Sequence, residues 1–193
     1  SYNISSGEIL LDDHSLNKID LTGLRENTGV VPQDSFLFSD TIINNIRFGN
    51  EKASKKEIEK VCKIAGIHKE ILKFKDQYNT MLGERGVNLS GGQKQRVCIA
   101  RALVKKPKIL ILDDCLSALD TETEEKIIRS LNDYIKDTTT IISSHRISSI
   151  QNLDMIIVLN DGKIIQKGSH EELINENGYY KQLYFKQLTE KED

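Results

Sequence analysis

The sequence predicts an α/β protein, and three observations carry that prediction. Short segments rich in Ile, Leu and Val alternate along the chain with longer segments of helical period, the pattern of a sheet layered with helices. Four of the helical segments open on Ser or Thr followed three positions later by Glu or Gln, a pairing that satisfies two orphan backbone donors reciprocally. The apolar run Ile109 to Leu112 ends in two adjacent acids, Asp113 and Asp114, as a buried strand does where it emerges at the edge of a crevice.

Taken in chain order, Glu8 to Leu11, Thr28 to Val31, Ile109 to Leu112 and Thr140 to Ile142 read as strands. The last three are apolar on both faces and are expected to lie in a parallel sheet covered on both sides. Residues of roughly 40 to 88 hold no convincing long strand. Ser54 with Glu57 opens a helical run reaching Phe74, with a stop at Gly66, and this stretch is expected to form an inserted helical lobe. Ser90 with Gln93 opens the helix that carries Val97, Ile99, Ala100 and Leu103. Thr121 with Glu124 opens another, whose Ile127, Ile128, Leu131 and Ile135 share one face that should pack on the sheet. Met155 to Leu159 and Lys163 to Gln166 flank Asn160, Asp161 and Gly162 and read as a β-hairpin. Ser169 with Glu172 starts a further helix, Tyr179 to Phe185 reads as a packed terminal helix, and the tail after Gln187 is expected to be loose.

Composition narrows the function classes. With 193 residues the chain fits one domain, or one domain with a small inserted lobe, at roughly 100 to 200 residues per domain. The 27 Lys plus Arg nearly balance 29 Asp plus Glu, so no electrostatic partner is demanded, and the Lys55-Lys56 and Lys105-Lys106 pairs read as solvated helix faces rather than a nucleic-acid stripe. The longest purely apolar run, Met155 to Leu159, falls far short of the ~20 residues of a membrane-spanning helix. Three cysteines (62, 98, 115) make no disulfide framework and point to a reducing compartment. Neither they nor the histidines at 14, 68, 145 and 170 show metal-ligand spacing, so we expect structural roles for all but His145. The opening on Ser1, running into a strand-like segment, leads us to expect a piece of a longer polypeptide.

Two stretches carry candidate chemistry. In Asp113 and Asp114, strand alternation sends neighbouring carboxylates in different directions. One could reach a hydrated Mg²⁺ and the other face an attacking water, or the pair could be a solvated strand end. In Leu89-Ser90-Gly91-Gly92-Gln93, a helix N-terminus presents free N–H groups and positive dipole beside two glycines and a hydroxyl. That arrangement suits an anion such as phosphate, and it equally suits a plain capping box with a flexible approach.

The string LSGGQ (89–93), followed by KILILDD (108–114), then Ser117-Ala118-Leu119-Asp120, then a lone His145 after the next strand, resembles the nucleotide-binding domain of ATP-binding-cassette (ABC) proteins. Val31-Pro32-Gln33-Asp34 is similar to that family's Q-loop, and Gly83-Glu84-Arg85-Gly86 and PQDSFLFSDTIINNI to its exporters more than its importers. The resemblance runs from about Gly7 to Leu188. It implies a P-loop NTPase-like ABC ATPase core with a mostly parallel sheet, residues 1–193 forming one domain fragment. Within it the lobe of about 40–88 follows the Q-loop, and 89–188 holds the signature, the Walker B strand, the D-loop, the switch histidine and the C-terminal part.

By the same resemblance the cofactors are ATP and Mg²⁺, with Asp113 and Gln33 at the metal. Asp114, Gln33 and His145 form the catalytic set, His145 touching the γ-phosphate. Ser90, Gly91, Gly92 and Gln93 bind a nucleotide held by the opposite subunit of a head-to-tail dimer, homodimer or heterodimer, with Asp120 at its interface. The other partner implied is a transmembrane domain, placing the chain on the cytoplasmic face of a membrane, with no nucleic acid.

Two departures stand against the family pattern. No G-x-x-x-x-G-K-[ST] occurs, and no Lys is followed by Ser or Thr, so the phosphate-cradling loop (Walker A) is missing from these residues and the domain is expected to be truncated at its N-terminal side. Asp114 stands where hydrolytically competent members usually place Glu. A carboxylate one methylene short can misplace a water, and about 1 Å of error can cost on the order of 10²-fold. Family members with this Asp often belong to heterodimers with one competent and one degenerate site. The rivals to an exporter ATPase are therefore a catalytically silent degenerate or orphan module, and a soluble ABC protein acting on ribosomes or DNA. The slight acidity and the exporter-like GERG oppose the second.

Overall fold

Three parallel strands organise the chain. In the computed structural model, which describes residues 4, 6–83 and 86–190, β1 (Leu10–Leu11) and β2 (His14–Ser15) form a minimal antiparallel hairpin apart from the main sheet. Helix α1 (Leu21–Asn27), capped by Asp20, leads into β3 (Thr28–Val31). β3 pairs in parallel with β4 (Ile109–Asp113), which pairs in parallel with β5 (Thr139–Ser143), in the order β3-β4-β5. The register sets Val31 beside Leu112, Leu112 beside Ile142, and Asp113 beside Ser143.

The sheet has one covered and one open face. Helix α5 (Gly91–Val104) packs on β3, and Val31, Leu110 and Leu112 are buried to 0–1% exposure. On the opposite face Val30 is 54% and Ile141 57% exposed. Within the described residues the cover expected on both sides is seen on one. Alternation reports which side chains are apolar, and it cannot report whether a second layer is present to cover them.

Between residues 40 and 83 the chain forms α2 (Ile42–Arg47), α3 (Lys55–Ile64), α4 (His68–Ile71) and a single turn at Gln77–Asn79. α3 starts on the Ser54 and Glu57 capping box and stops before Gly66, whose φ of +70° is a conformation other residues avoid. α2 and α3 both pack on α5, so the lobe residues Ile42, Ile46, Ile58, Val61 and Ile71 share one apolar core with Val97, Leu103 and Leu110.

Helix α6 (Thr121–Tyr134) joins the core of the sheet residues Leu110 and Leu112 and differs from expectation at its cap. Its cap is Asp120, whose Oδ1 accepts from the Thr123 N–H at 2.9 Å, rather than a box of Thr121 with Glu124. Its buried face, Ile127, Ile128 and Leu131, meets α3 and the turn after β5, while Ile135 is the partly buried residue ending the helix. The hairpin of β6 (Ile156–Asn160) and β7 (Lys163–Gly168) forms as expected, with positive φ at both Asp161 and Gly162, the backbone of a tight two-residue turn. Helices α7 (His170–Asn175), opened by the Ser169 and Glu172 box, and α8 (Tyr179–Thr189) build a second small core of Ile147, Ile156, Leu173 and Tyr180. No helix among the described residues is long and apolar enough to cross a membrane.

Candidate functional site at the carboxyl ends of the strands

The acids that end β4 sit where the three strands present their carboxyl ends, and the register dictates what they meet. Asp113, paired with Ser143, accepts a 2.5 Å hydrogen bond on Oδ1 from the Ser143 hydroxyl. The next residue leaves the strand: Asp114 has φ +42°, and its N–H donates to both the Ser143 carbonyl (3.1 Å) and hydroxyl oxygen (3.0 Å). Its carbonyl accepts from the Ser117 hydroxyl at 2.8 Å. Gln33 arrives just past Pro32, where β3 has stopped, and its Nε2 donates to Asp114 Oδ2 at 3.3 Å. Three segments far apart in sequence therefore converge, and Asp113, Gln33 and His145 are all solvent-exposed while Asp114 is half-buried.

The donors left over are oxygens. With its amide nitrogen turned to Asp114, Gln33 keeps a free carbonyl oxygen, and Asp113 keeps Oδ2. Among the described residues no cluster of three or more His, Cys, Asp or Glu could hold a metal unaided. One carboxylate oxygen with an amide oxygen fits Mg²⁺, which retains waters and completes its shell with substrate phosphates. Directly after the acids, Cys115 is buried, and burial pushes its thiol up to about 12, which keeps it neutral and a poor nucleophile.

His145 follows β5 by two residues, and what holds it is not in its ring. The next side chain, Arg146, donates from Nη1 to Glu124 Oε2 at 2.6 Å and to the Leu119 carbonyl at 2.9 Å, and from Nη2 to the Ser117 carbonyl at 3.1 Å. Glu124 is 1% exposed and also accepts from the Ser149 hydroxyl. This buried carboxylate with Arg146 ties the 117–120 loop to the histidine segment. The local sequence pairs Glu124 with Thr121 in a helix cap and gives no role to Arg146, Ser143 or Ser149. The signal for Arg146 was its place beside a lone histidine, whereas the others carry no local pattern.

The N-terminus of α5 is organised differently. Ser90 Oγ accepts from the Gln93 N–H at 3.3 Å and Gln93 Oε1 accepts from the Ser90 N–H at 2.9 Å, so the expected box forms. Gln93 Nε2 then donates to Glu70 Oε2 at 2.8 Å, and Arg96 Nη1 reaches Glu70 Oε1 at 2.5 Å, fastening this turn to α4. Gly91 opens on empty space, and a Cβ on Gly92 would lie 3.1 Å from Leu119 Cδ2, so a larger residue there would press on the 117–120 loop. Asp120, exposed at the end of that loop, is held below the usual carboxylate range chiefly by the Thr123 backbone N–H. Ser90 and Gln93 thus bond each other, and Gln93 reaches the helical lobe at Glu70 and not the acid pair. Of the segment Gly83 to Gly86, Glu84 and Arg85 lie outside the described residues.

The sequence pattern that defines the family described as ABC transporter matches residues 1–117. The chain is 50% identical, over 99% of its length, to a multidrug resistance-like ATP-binding protein, MdlA, of Buchnera aphidicola, covering 33% of that protein. It is 46% identical, over 98% of its length, to a heavy metal tolerance protein of Schizosaccharomyces pombe, covering 23% of it. The chain thus spans about a quarter to a third of these relatives. A solved structure of a bacterial Atm1-family ABC exporter with ATP bound superposes with a TM-score of 0.91 at 43% identity, covering 96% of this chain and 33% of that one.

Proposed function

Because this chain belongs to the ABC transporter family, we propose that it is the ATP-binding and ATP-hydrolysing region of an exporter, working in a dimer of such domains joined to a transmembrane domain at the cytoplasmic face of a membrane. The observation that carries the reading is the convergence of Gln33, Asp113 and Asp114 at one end of the sheet, fixed by the 3.3 Å contact from Gln33 to Asp114 and by Ser143 on Asp113.

The roles proposed join the family resemblance to the geometry that supports it. Asp113 Oδ2 and the Gln33 carbonyl oxygen would hold Mg²⁺, and the metal when bound neutralises charge on the β- and γ-phosphate oxygens. Asp114, half-buried and steadied by Gln33, faces the attacking water, and the exposed His145 imidazole contacts the γ-phosphate. The open turn of Ser90, Gly91 and Gly92, with Gln93 bracing it from within, offers the N–H groups of Gly91 and Gly92 to a nucleotide held by a second copy or a homologous partner, and Asp120 faces that partner. Since no G-x-x-x-x-G-K-[ST] lies within the 193 residues, this chain by itself binds Mg-ATP weakly. Calorimetric titration giving a micromolar dissociation constant would refute that.

A second reading rests on Asp114 itself. Its shorter side chain marks this as the degenerate site of a heterodimer, with LSGGQ serving the partner's competent site. In the full-length protein, Asp114→Glu should then raise ATP turnover at this site. Turnover unchanged by Asp114→Glu and abolished by Asp114→Asn would make Asp114 a working base and end the degenerate reading.

A further inference from the structure

The main chain on either side of Arg146 is gripped by one side chain from the far end of the chain. Gln187, half-buried in the last turns of α8, donates from Nε2 to the His145 carbonyl at 2.7 Å and accepts on Oε1 from the Ile147 N–H at 2.9 Å. A primary amide offering donor and acceptor in one plane copies a peptide group, so Gln187 acts on this segment as a neighbouring strand would. Glu or Leu cannot make both bonds, and Asn falls one methylene short. The helix that carries it is itself anchored. Tyr180 is 2% exposed, its N–H donates to Gln166 Oε1 of β7 at 2.9 Å, and its hydroxyl meets His170 Nδ1 at 2.8 Å. From the other side Arg146 is drawn to Glu124 and to the carbonyls of Ser117 and Leu119. The segment 145–147 is therefore stretched between the 117–120 loop and α8, and the exposed His145 imidazole projects from the fixed stretch.

We propose that Gln187 is a positioning residue for His145, holding the imidazole where the γ-phosphate is met. The proposal rests on reading the strand ends as an ATP-hydrolysing site. Freed of Gln187, the His145 carbonyl and the Ile147 N–H would turn to water and the ring would sample positions away from the phosphate. Displacement of a reacting group by about 1 Å can cost on the order of 10²-fold, and a partial loss of order in one contact costs less.

The test compares ATP turnover of the native full-length protein with Gln187→Ala, His145→Ala and the double variant, beside amide hydrogen exchange over residues 144–148. Gln187→Ala should lower kcat about tenfold with KM for ATP within about twofold, and speed exchange at the Ile147 amide. Added to His145→Ala it should cost nothing more, because a residue acting through His145 has nothing left to position. Gln187→Glu, which keeps an acceptor for Ile147 but has no donor for the His145 carbonyl, should lose kcat as Gln187→Ala does. The proposal is overturned if Gln187→Ala or Gln187→Glu keeps kcat within about twofold of wild type, if the losses multiply in the double variant, or if exchange at Ile147 is unchanged. Wild-type turnover that is absent, or indifferent to His145→Ala, overturns the reading of the site and this proposal with it.

Discussion

Glu124 and Asp113 both lie beyond or at the carboxyl ends of the parallel strands, yet their surroundings are opposite. Glu124 is 1% exposed and meets Arg146 and Ser149, whereas Asp113 stands in solvent with one hydroxyl on one oxygen. A buried carboxylate is costly unless paired, and both Glu124 oxygens are engaged, one by Arg146 and the other by Ser149. An exposed one costs little to leave half-satisfied, and the unsatisfied half is what a metal or substrate can use. The two faces of the sheet repeat the contrast, because Asp113 and Ser143 extend the same face as the exposed Val30 and Ile141, and Leu110 and Leu112 the covered one.

The widest separation between the two acids should be seen in catalysis. Asp113→Asn in the full-length protein should lower Mg-ATP turnover on the order of 10³-fold, the several kcal/mol expected of a lost metal contact, with its melting temperature unmoved. A melting temperature that fell with activity would make Asp113 structural and erase the contrast. Glu124→Ala should act the other way, costing about 3 kcal/mol in denaturant unfolding, toward the lower end for a broken buried pair because Arg146 is 39% exposed. A loss under about 0.5 kcal/mol, the size of an ordinary surface substitution, would show that Arg146 finds other partners. Between the faces, Leu112→Ala should cost at least about 2 kcal/mol and Ile141→Ala about 0.5 kcal/mol or less. Equal costs would mean that Ile141 is covered in solution. The smallest effect is none at all: Cys115, one residue past the acids but buried with its thiol pushed up to about 12, should resist iodoacetamide at pH 8 until the protein unfolds. Mass spectrometry of the alkylated native protein checks this.

What the sequence disclosed follows from the range of the interaction concerned. The boxes at Ser54, Ser90 and Ser169 were legible because donor and acceptor lie three residues apart, and all three form. The same local pattern failed at Thr121, since Asp120 sits one residue earlier with a carboxylate of the right reach, and Glu124 is drawn to an arginine 22 residues away. The acid pair was legible from the abrupt end of an apolar run, and its links to Gln33 across 81 residues and to Ser143 across 30 were not. Those links depend on parallel register, which joins residues without any sequence signature of the pairing. Gln187 stands in the sequence at the edge of the tail expected to be loose, and nothing in its neighbourhood hints that its amide reaches back 42 residues.

The left-handed backbone at Asp114, φ +42°, has a consequence for how this position can change. Among residues with a side chain, Asp and Asn tolerate that conformation best, and longer side chains gain nothing local to offset it. Every Asp codon is one base from a Glu codon, so the substitution is always within mutational reach. Here the step is opposed by the dihedral at which the chain leaves its strand, and a lineage that exchanged Glu for Asp and then relaxed into this turn would find the reversal harder than the original change.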